Sequence, residues 1–243
     1  MNPYYQDDLV TLYHADCRQI LPHISPETID ALVTDPPYAV GKTGDMLGFV
    51  SPNWREKATH SRGYADHDPG QYRALLSPAF ASSVYAMKPG ALSLIFCGNR
   101  TLHTAATIAE EAGIMPLDIL AYVWAGSVAK SKTTLMPAME LALLGRKAGP
   151  VREINPSWTE KNVRGGTKPR ETNGHPTAKP TAWMEDAIRL VAPPGGLILD
   201  PFTGSGSTLR AAKNLGFRAV GIESDERYCE IAARRLAQEV LFT

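Results

Sequence analysis

Cysteine, net charge and long apolar runs are all scarce in this 243-residue chain. Its three cysteines, Cys17, Cys97 and Cys229, lie far apart and none belongs to a CxxC pair. That excludes a disulfide framework and a zinc site, and it suits thiols kept reduced in a cytosol. The six histidines are scattered too, so no structural metal is expected. No stretch reaches the ~18 consecutive apolar residues of a membrane span. Met1 to Asp8 lacks the basic head and apolar stretch of a secretory signal. Twenty-five Lys and Arg against 25 Asp and Glu leave a formal net charge of zero. With 44% hydrophobic and 21% charged residues, the composition is that of a globular protein and argues against disorder or a fibrous repeat.

The zero hides an asymmetry. Between Gly126 and Pro180 ten basic residues face four acidic ones, so this segment carries +6 and the rest of the chain −6. Such a segment is either a solvated basic loop or the footprint of a polyanion.

Short β-rich apolar runs alternate with stretches of helical period, which predicts an α/β fold. Candidate strands are Leu9–Tyr13, Ala31–Thr34, Ala91–Phe96, Ile119–Trp124, Leu141–Leu144, Leu197–Leu199 and Ala219–Ile222. Several are continuously apolar, as expected of central parallel strands covered on both faces. Helical stripes run through Tyr72–Phe80, Leu102–Ala109, Trp183–Val191 and Tyr228–Leu236, and these are core positions. Two long loop-like stretches interrupt the alternation. Residues 41–70 and 146–174 are accordingly read as inserts on a single domain spanning 1–243.

The first motif with chemistry is Thr34-Asp35-Pro36-Pro37-Tyr38 at the end of a buried strand. Pro36 and Pro37 stiffen the loop at a strand's carboxyl end, where open α/β sheets bind ligands. Asp35 and the Pro36 carbonyl offer two acceptors, and Tyr38 offers a flat face. Together they suit a planar ring bearing an NH₂ group. The second motif is Asp200-Pro201-Phe202-Thr203-Gly204-Ser205-Gly206, a strand followed by a glycine-rich turn and a helix start. It lacks the Gly-Lys-Ser/Thr of a P-loop. Leu209 stands where a dinucleotide fingerprint needs its third glycine, so hydride transfer becomes a minor alternative. Glu223 ends the next strand roughly 20 residues on, the spacing at which an acid meets a ribose. A third piece, His175-Pro176-Thr177-Ala178-Lys179-Pro180, precedes the Trp183 helix. Alone it reads as a helix entry; beside the others, Thr177 or Lys179 is a candidate partner for the carboxylate of an amino-acid-like cofactor.

In this order the three motifs resemble the DNA amino-methyltransferases that use S-adenosylmethionine (SAM), in their β class, where the Asp-Pro-Pro-Tyr motif precedes the glycine-rich one. Leu12-Tyr13-His14-Ala15-Asp16-Cys17 is similar to the family's first strand end, with Ala15 where the family usually has glycine. The resemblance implies a doubly wound, mostly parallel seven-stranded sheet. It implies a SAM pocket lined by Asp16, Asp35, Thr177, Lys179, Asp200, Pro201, Phe202, Gly204, Gly206 and Glu223, and a catalytic loop Asp35, Pro36, Pro37 and Tyr38. The implied partner is double-stranded DNA, with Lys161, Arg164, Lys168 and Arg170 at its phosphates. No metal and no membrane enter, and a homodimer is possible. The implied setting is the cytoplasm of a bacterium or of a phage-infected cell, with or without a restriction partner. Asp at position 35 leans to adenine N6, because cytosine-N4 members commonly carry Ser there. Cytosine N4 is the alternative, a non-catalytic DNA-binding protein of the same fold is a more remote one, and protein-glutamine or small-RNA methylation is disfavoured by the motif order.

Overall fold

The apolar run Ile29–Thr34 is buried along its whole length, and it forms the third of the nine strands that the described residues contribute to one mixed sheet. The computed structural model describes residues 2–38, 69–99, 101–124, 139–154, 162–166 and 178–239. Its strands are β1 (Tyr5–Gln6), β2 (Val10–His14), β3 (Ile29–Thr34), β4 (Met87–Cys97), β5 (Ile114–Trp124), β6 (Met139–Lys147), β7 (Val163–Gly166), β8 (Leu197–Asp200) and β9 (Arg218–Glu223). Its helices are α1 (Cys17–Ile20), α2 (Pro69–Ala86), α3 (Leu102–Glu111), α4 (Thr181–Val191), α5 (Ser207–Asn214) and α6 (Glu226–Leu236). The strand order is β1-β2-β9-β8-β3-β4-β6-β5-β7. Strands β2, β9, β8, β3 and β4 run parallel, β6 is antiparallel to both β4 and β5, and β7 runs parallel to β5.

Alternate side chains of the central strands feed two cores. Ala31, Val33, Leu92, Leu94 and Phe96 pack on one face with Met184 and Ile188 of α4, Leu209 of α5 and Leu236 of α6. Ile29, Leu32, Ala91 and Ile95 pack on the other with Ile20 of α1, Leu76 and Phe80 of α2 and Ile108 of α3. With helices on each face, strands are apolar on both sides, which is why they read as continuous runs. Burial pushes the thiols of Cys17, Cys97 and Cys229 up to about 12, so all three are protonated packing groups.

All seven strands expected from the sequence are present. The sheet has nine rather than seven because β1 and β7 are added at its two edges. They are two and four residues long, too short to show a period, and each pairs with the strand beside it. Of the segment read as the insert 146–174, Arg146 and Lys147 finish β6, and Val163–Gly166 form the edge strand β7. The insert 41–70 lies outside the described residues up to position 68, and α2 starts at Pro69.

Candidate active site

Strands β3 and β8 are parallel neighbours, with Ala31 opposite Ile198 and Leu32 opposite Leu199. From β3 the chain proceeds to β4 on one side, and from β8 to β9 on the other. Their carboxyl ends therefore form the topological switch point of the sheet, where a crevice opens. The Asp35 loop and the glycine-rich turn leave the sheet side by side there, although Thr34 and Asp200 are 166 residues apart in sequence. Thr34 Oγ1 donates to Asp200 Oδ1 at 2.7 Å, and the Phe202 amide donates to the same oxygen at 3.1 Å. Asp200 thus ties the two loops together while only 2% exposed.

Burial pushes the Asp200 carboxyl up to about 6, against hydrogen bonds from Thr208, Thr34 and the Phe202 amide that hold it down. Its folded-state pKa exceeds its unfolded value, so the ionised form costs the folded state free energy. That cost is fully present above about pH 6 and fades as the pH falls toward the ordinary carboxylate range. Replacing Asp200 with asparagine is expected to remove it. The Tm difference, wild type minus Asp200→Asn, should rise as the pH is lowered from 7 to 5. A difference that does not change with pH contradicts this reading.

The turn after β8 needs glycine. Gly204 and Gly206 have φ of +53° and +83°, and a Cβ on Gly206 would lie 2.9 Å from the Ala232 methyl of α6. Glu223, 6% exposed at the end of β9, accepts the Gly204 amide at Oε2 and the Asp225 amide at Oε1, both at 2.8 Å. These bonds fix the carboxylate's orientation, and a carboxylate oxygen can accept more than one hydrogen bond. Arg235 of α6 braces the turn from below. It donates to the Ser205 carbonyl at 2.8 Å and to Thr181 Oγ1, at the start of α4, at 2.9 Å.

A cleft of about 290 Å³ opens beside this turn, and Asp16, Pro201, Phe202, Ile222 and Glu223 are among its lining residues. Asp16 also caps α1, accepting the Arg18 amide at 2.9 Å, and pairs with the Arg18 guanidinium. Hydrogen bonds from Arg18 hold the Asp16 carboxyl below its usual range. Two carboxylates together with aromatic and aliphatic lining suit a nucleoside: anionic acceptors for hydroxyl and amine protons, and apolar surface for the base. The donor set therefore fits SAM.

Across the switch point, Tyr38 donates its hydroxyl to Asp35 Oδ1 at 2.6 Å, and Lys179 Nζ lies 2.7 Å from Asp35 Oδ2. Burial, followed by the Asp35 and Glu140 carboxylates, pushes the Tyr38 phenol well above its usual range, so it remains a donor. The Lys179 ammonium also stands 3.9 Å from Glu140 Oε2 and 4.9 Å from the centre of the Tyr38 ring. Where the sequence motif makes Lys179 a candidate for a cofactor carboxylate, the structure sets it on Asp35. Glu140 opens a segment, Glu140–Lys147, that resembles one of the family's further strand motifs, but it is not among the site residues expected from the sequence. Its position follows from pairing, because antiparallel β6 sets Leu141 opposite Cys97 and so carries Glu140 to the edge where β3 and β4 end.

Of the other candidate residues, Thr177, Lys161, Lys168 and Arg170 lie outside the described residues. Arg164, on β7, has its guanidinium 3.3 Å from Asp186 of α4, an acid that also accepts the Tyr122 hydroxyl. With its side chain 13% exposed, Arg164 joins the edge strand to the core. Among the described residues no cluster of three or more His, Cys, Asp or Glu is arranged to hold a metal, and no helix is long and apolar enough to cross a membrane.

A doubly wound sheet with a cleft that suits a nucleoside beside its glycine-rich turn, and a stiff Asp-Pro-Pro-Tyr loop at its switch point, is the architecture of a SAM-dependent methyltransferase. Similarity to known proteins narrows the class to a family. The family model described as DNA methylase, for N6 and N4 methylation, matches residues 29–234, and the chain belongs to that family. Type II methyltransferase M2.DpnII of Streptococcus pneumoniae is 26% identical, over 98% of this chain and 93% of that protein. Type II methyltransferase M.ScaI of Streptomyces caespitosus is 29% identical, over 98% and 84% respectively. Among solved structures, the M1.HpyAVI–SAM complex matches with a TM-score of 0.70 and 25% identity, covering 93% of this chain and all of that one. The PvuII cytosine-N4-specific DNA methyltransferase shares the fold, with a TM-score of 0.77 at 16% identity over 99% of this chain and 90% of its own. The protein is a DNA methyltransferase of the N6/N4 family, and its cofactor is SAM.

Proposed function

We propose that this enzyme methylates the exocyclic N6 of adenine in double-stranded DNA at a specific sequence. The observation that carries the reading is the position of Asp35 and Pro36 at the switch point, bonded through Thr34 and Asp200 to the turn beside the nucleoside cleft. An aromatic amine is a poor nucleophile because its lone pair is delocalised into the ring. Accepting its two protons at the Asp35 carboxylate and the Pro36 carbonyl favours a pyramidal nitrogen and localises the pair. Asp16, Phe202 and Glu223, with the Gly204–Gly206 turn beside them, would hold SAM, whose sulfonium would supply the methyl carbon and leave as a neutral thioether. Pro36 and Pro37 keep the acceptors rigid, so they need no reorganisation when the base arrives. The Tyr38 ring gives a base extruded from the duplex a face to stack on, which offsets part of an unstacking cost of a few kcal/mol. Asp35 is already engaged by an ammonium and a hydroxyl. It orients the amine, and the extra proton leaves for solvent after transfer.

Asp at position 35 supports adenine over cytosine. The test is to incubate the enzyme with DNA and methyl-labelled SAM and identify the labelled nucleoside. N6-methyladenine is expected, and N4-methylcytosine would replace the substrate assignment. The basic segment 126–180 supports binding through phosphates, with Lys161, Lys168 and Arg170 as the groups that meet them. Substituting Lys168 and Arg170 by alanine is expected to weaken binding to any duplex and to lower the slope of log K against log salt by about 1 for each phosphate no longer neutralised. A slope unchanged in the double variant rejects the assignment of these two residues to DNA.

A further inference from the structure

We propose that Lys179 is a positioning residue of the methyl-transfer site: it holds Asp35 by Oδ2, so that Oδ1 is the oxygen that meets the target amine. The inference rests on the function proposed above and assigns the two carboxylate oxygens different work.

The partners on the two oxygens differ in kind. Oδ2 is held by an ammonium whose side chain is 4% exposed, against 23% for Asp35 itself. That cation is further braced by Glu140 Oε2 at 3.9 Å and stands over the rings of Tyr38 and Phe96, at 4.9 and 5.7 Å from their centres. Taking Asp35 Oδ2 away from it would leave a buried charge short of its nearest counter-ion, a heavy penalty in a water-poor site. Oδ1 is held, among the described residues, by the neutral Tyr38 hydroxyl at 2.6 Å. Giving up a hydrogen bond from a neutral donor costs less than unpairing a buried charge. An incoming amine therefore takes Oδ1, and the Tyr38 hydroxyl is the group it displaces. In the free enzyme that hydroxyl occupies the place of the substrate N–H.

The backbone supports the same assignment. Lys179 is followed by Pro180, the cap of α4, and the first residue of that helix, Thr181, is bonded to Arg235. The ammonium is thus delivered from a fixed helix start to a fixed strand end, 144 residues away in sequence.

The experiment compares wild type with Lys179→Met, Lys179→Arg and Glu140→Gln. It measures kcat at saturating SAM and DNA, together with SAM affinity by calorimetric titration. Lys179→Met is expected to lower kcat about 100-fold, the scale of a 1 Å misplacement of a reacting group. SAM affinity should stay at the wild-type value. Lys179→Arg, which keeps the cation, should recover part of kcat, and Glu140→Gln should lower kcat by less than Lys179→Met. The proposal is overturned if Lys179→Met weakens SAM binding while kcat at saturation is unchanged, since the lysine would then serve the cofactor carboxylate. It is also overturned if neither quantity moves. Should Lys179→Met fail to fold, a wild-type kcat in Glu140→Gln with weakened SAM binding in Lys179→Arg overturns it equally. A wild-type enzyme that labels no DNA amine rejects the function reading itself, a result distinct from active wild type with an indifferent Lys179→Met.

Discussion

Substituting Asp35 by alanine abolishes methyl transfer, with an expected loss of about 10³-fold or more, the upper range for removing a preorganised group that stabilises developing charge. The cofactor should still bind. Asp35 sits on the β3 loop, whereas the cleft is built by the ends of β2, β8 and β9, so the nucleoside seat survives the change. The substitution also strips the Lys179 ammonium of a carboxylate at 2.7 Å and leaves it Glu140 at 3.9 Å. A lower Tm should therefore accompany the lost activity, because a buried ion missing its partner costs about 3–5 kcal/mol. Titration calorimetry with SAM, together with a methyl-transfer assay, checks the separation. Undiminished turnover in Asp35→Ala removes this residue from the mechanism.

The second large effect is expected at Glu223 and in the opposite quantity. Glu223→Ala should weaken SAM binding about 100-fold, the equivalent of losing ~3 kcal/mol of hydrogen bonding to a charged acceptor. Its carboxylate has a double duty. One oxygen fixes the Gly204 amide and the other the Asp225 amide, and the same residue helps to line the cleft. The variant is expected to lose the proposed ribose acceptor and to loosen the turn held through the Gly204 amide. Glu223→Gln retains one acceptor oxygen and should fall between wild type and alanine. Wild-type SAM affinity in Glu223→Ala would mean that the acid serves the loop alone.

The central strands are legible in the sequence because each is buried on both faces. Ala31-Leu32-Val33 and Leu197-Ile198-Leu199 have no alternation to disguise, and turn residues bound them. The edge strands β1 and β7 are not, since two and four residues leave no pattern to read. The glycine turn is legible for a local reason: positive φ at Gly204 and Gly206 is a demand on the residue itself. The partners of Asp35 are not. Lys179 reaches it from a helix start, Glu140 reaches Lys179 in turn from an antiparallel strand, and no local propensity encodes an ion pair between residues 144 apart. Arg235 leaves no signal at all. It falls on an exposed-looking turn of an amphipathic helix, and only the packing of α6 against the glycine loop gives its guanidinium the Ser205 carbonyl and Thr181 to hold.

The proposed mechanism requires a base and a methyl donor to meet between the ends of β3 and β8. The most direct measurement is a crystal structure of the enzyme with duplex substrate and a non-reactive SAM analogue. The expected complex has an extruded adenine stacked on Tyr38, its N6 within hydrogen-bond distance of Asp35 Oδ1 and the Pro36 carbonyl, and the analogue's nucleoside between Asp16 and Glu223. A target base seated away from the Asp35 loop, or an analogue bound outside that cleft, would contradict it.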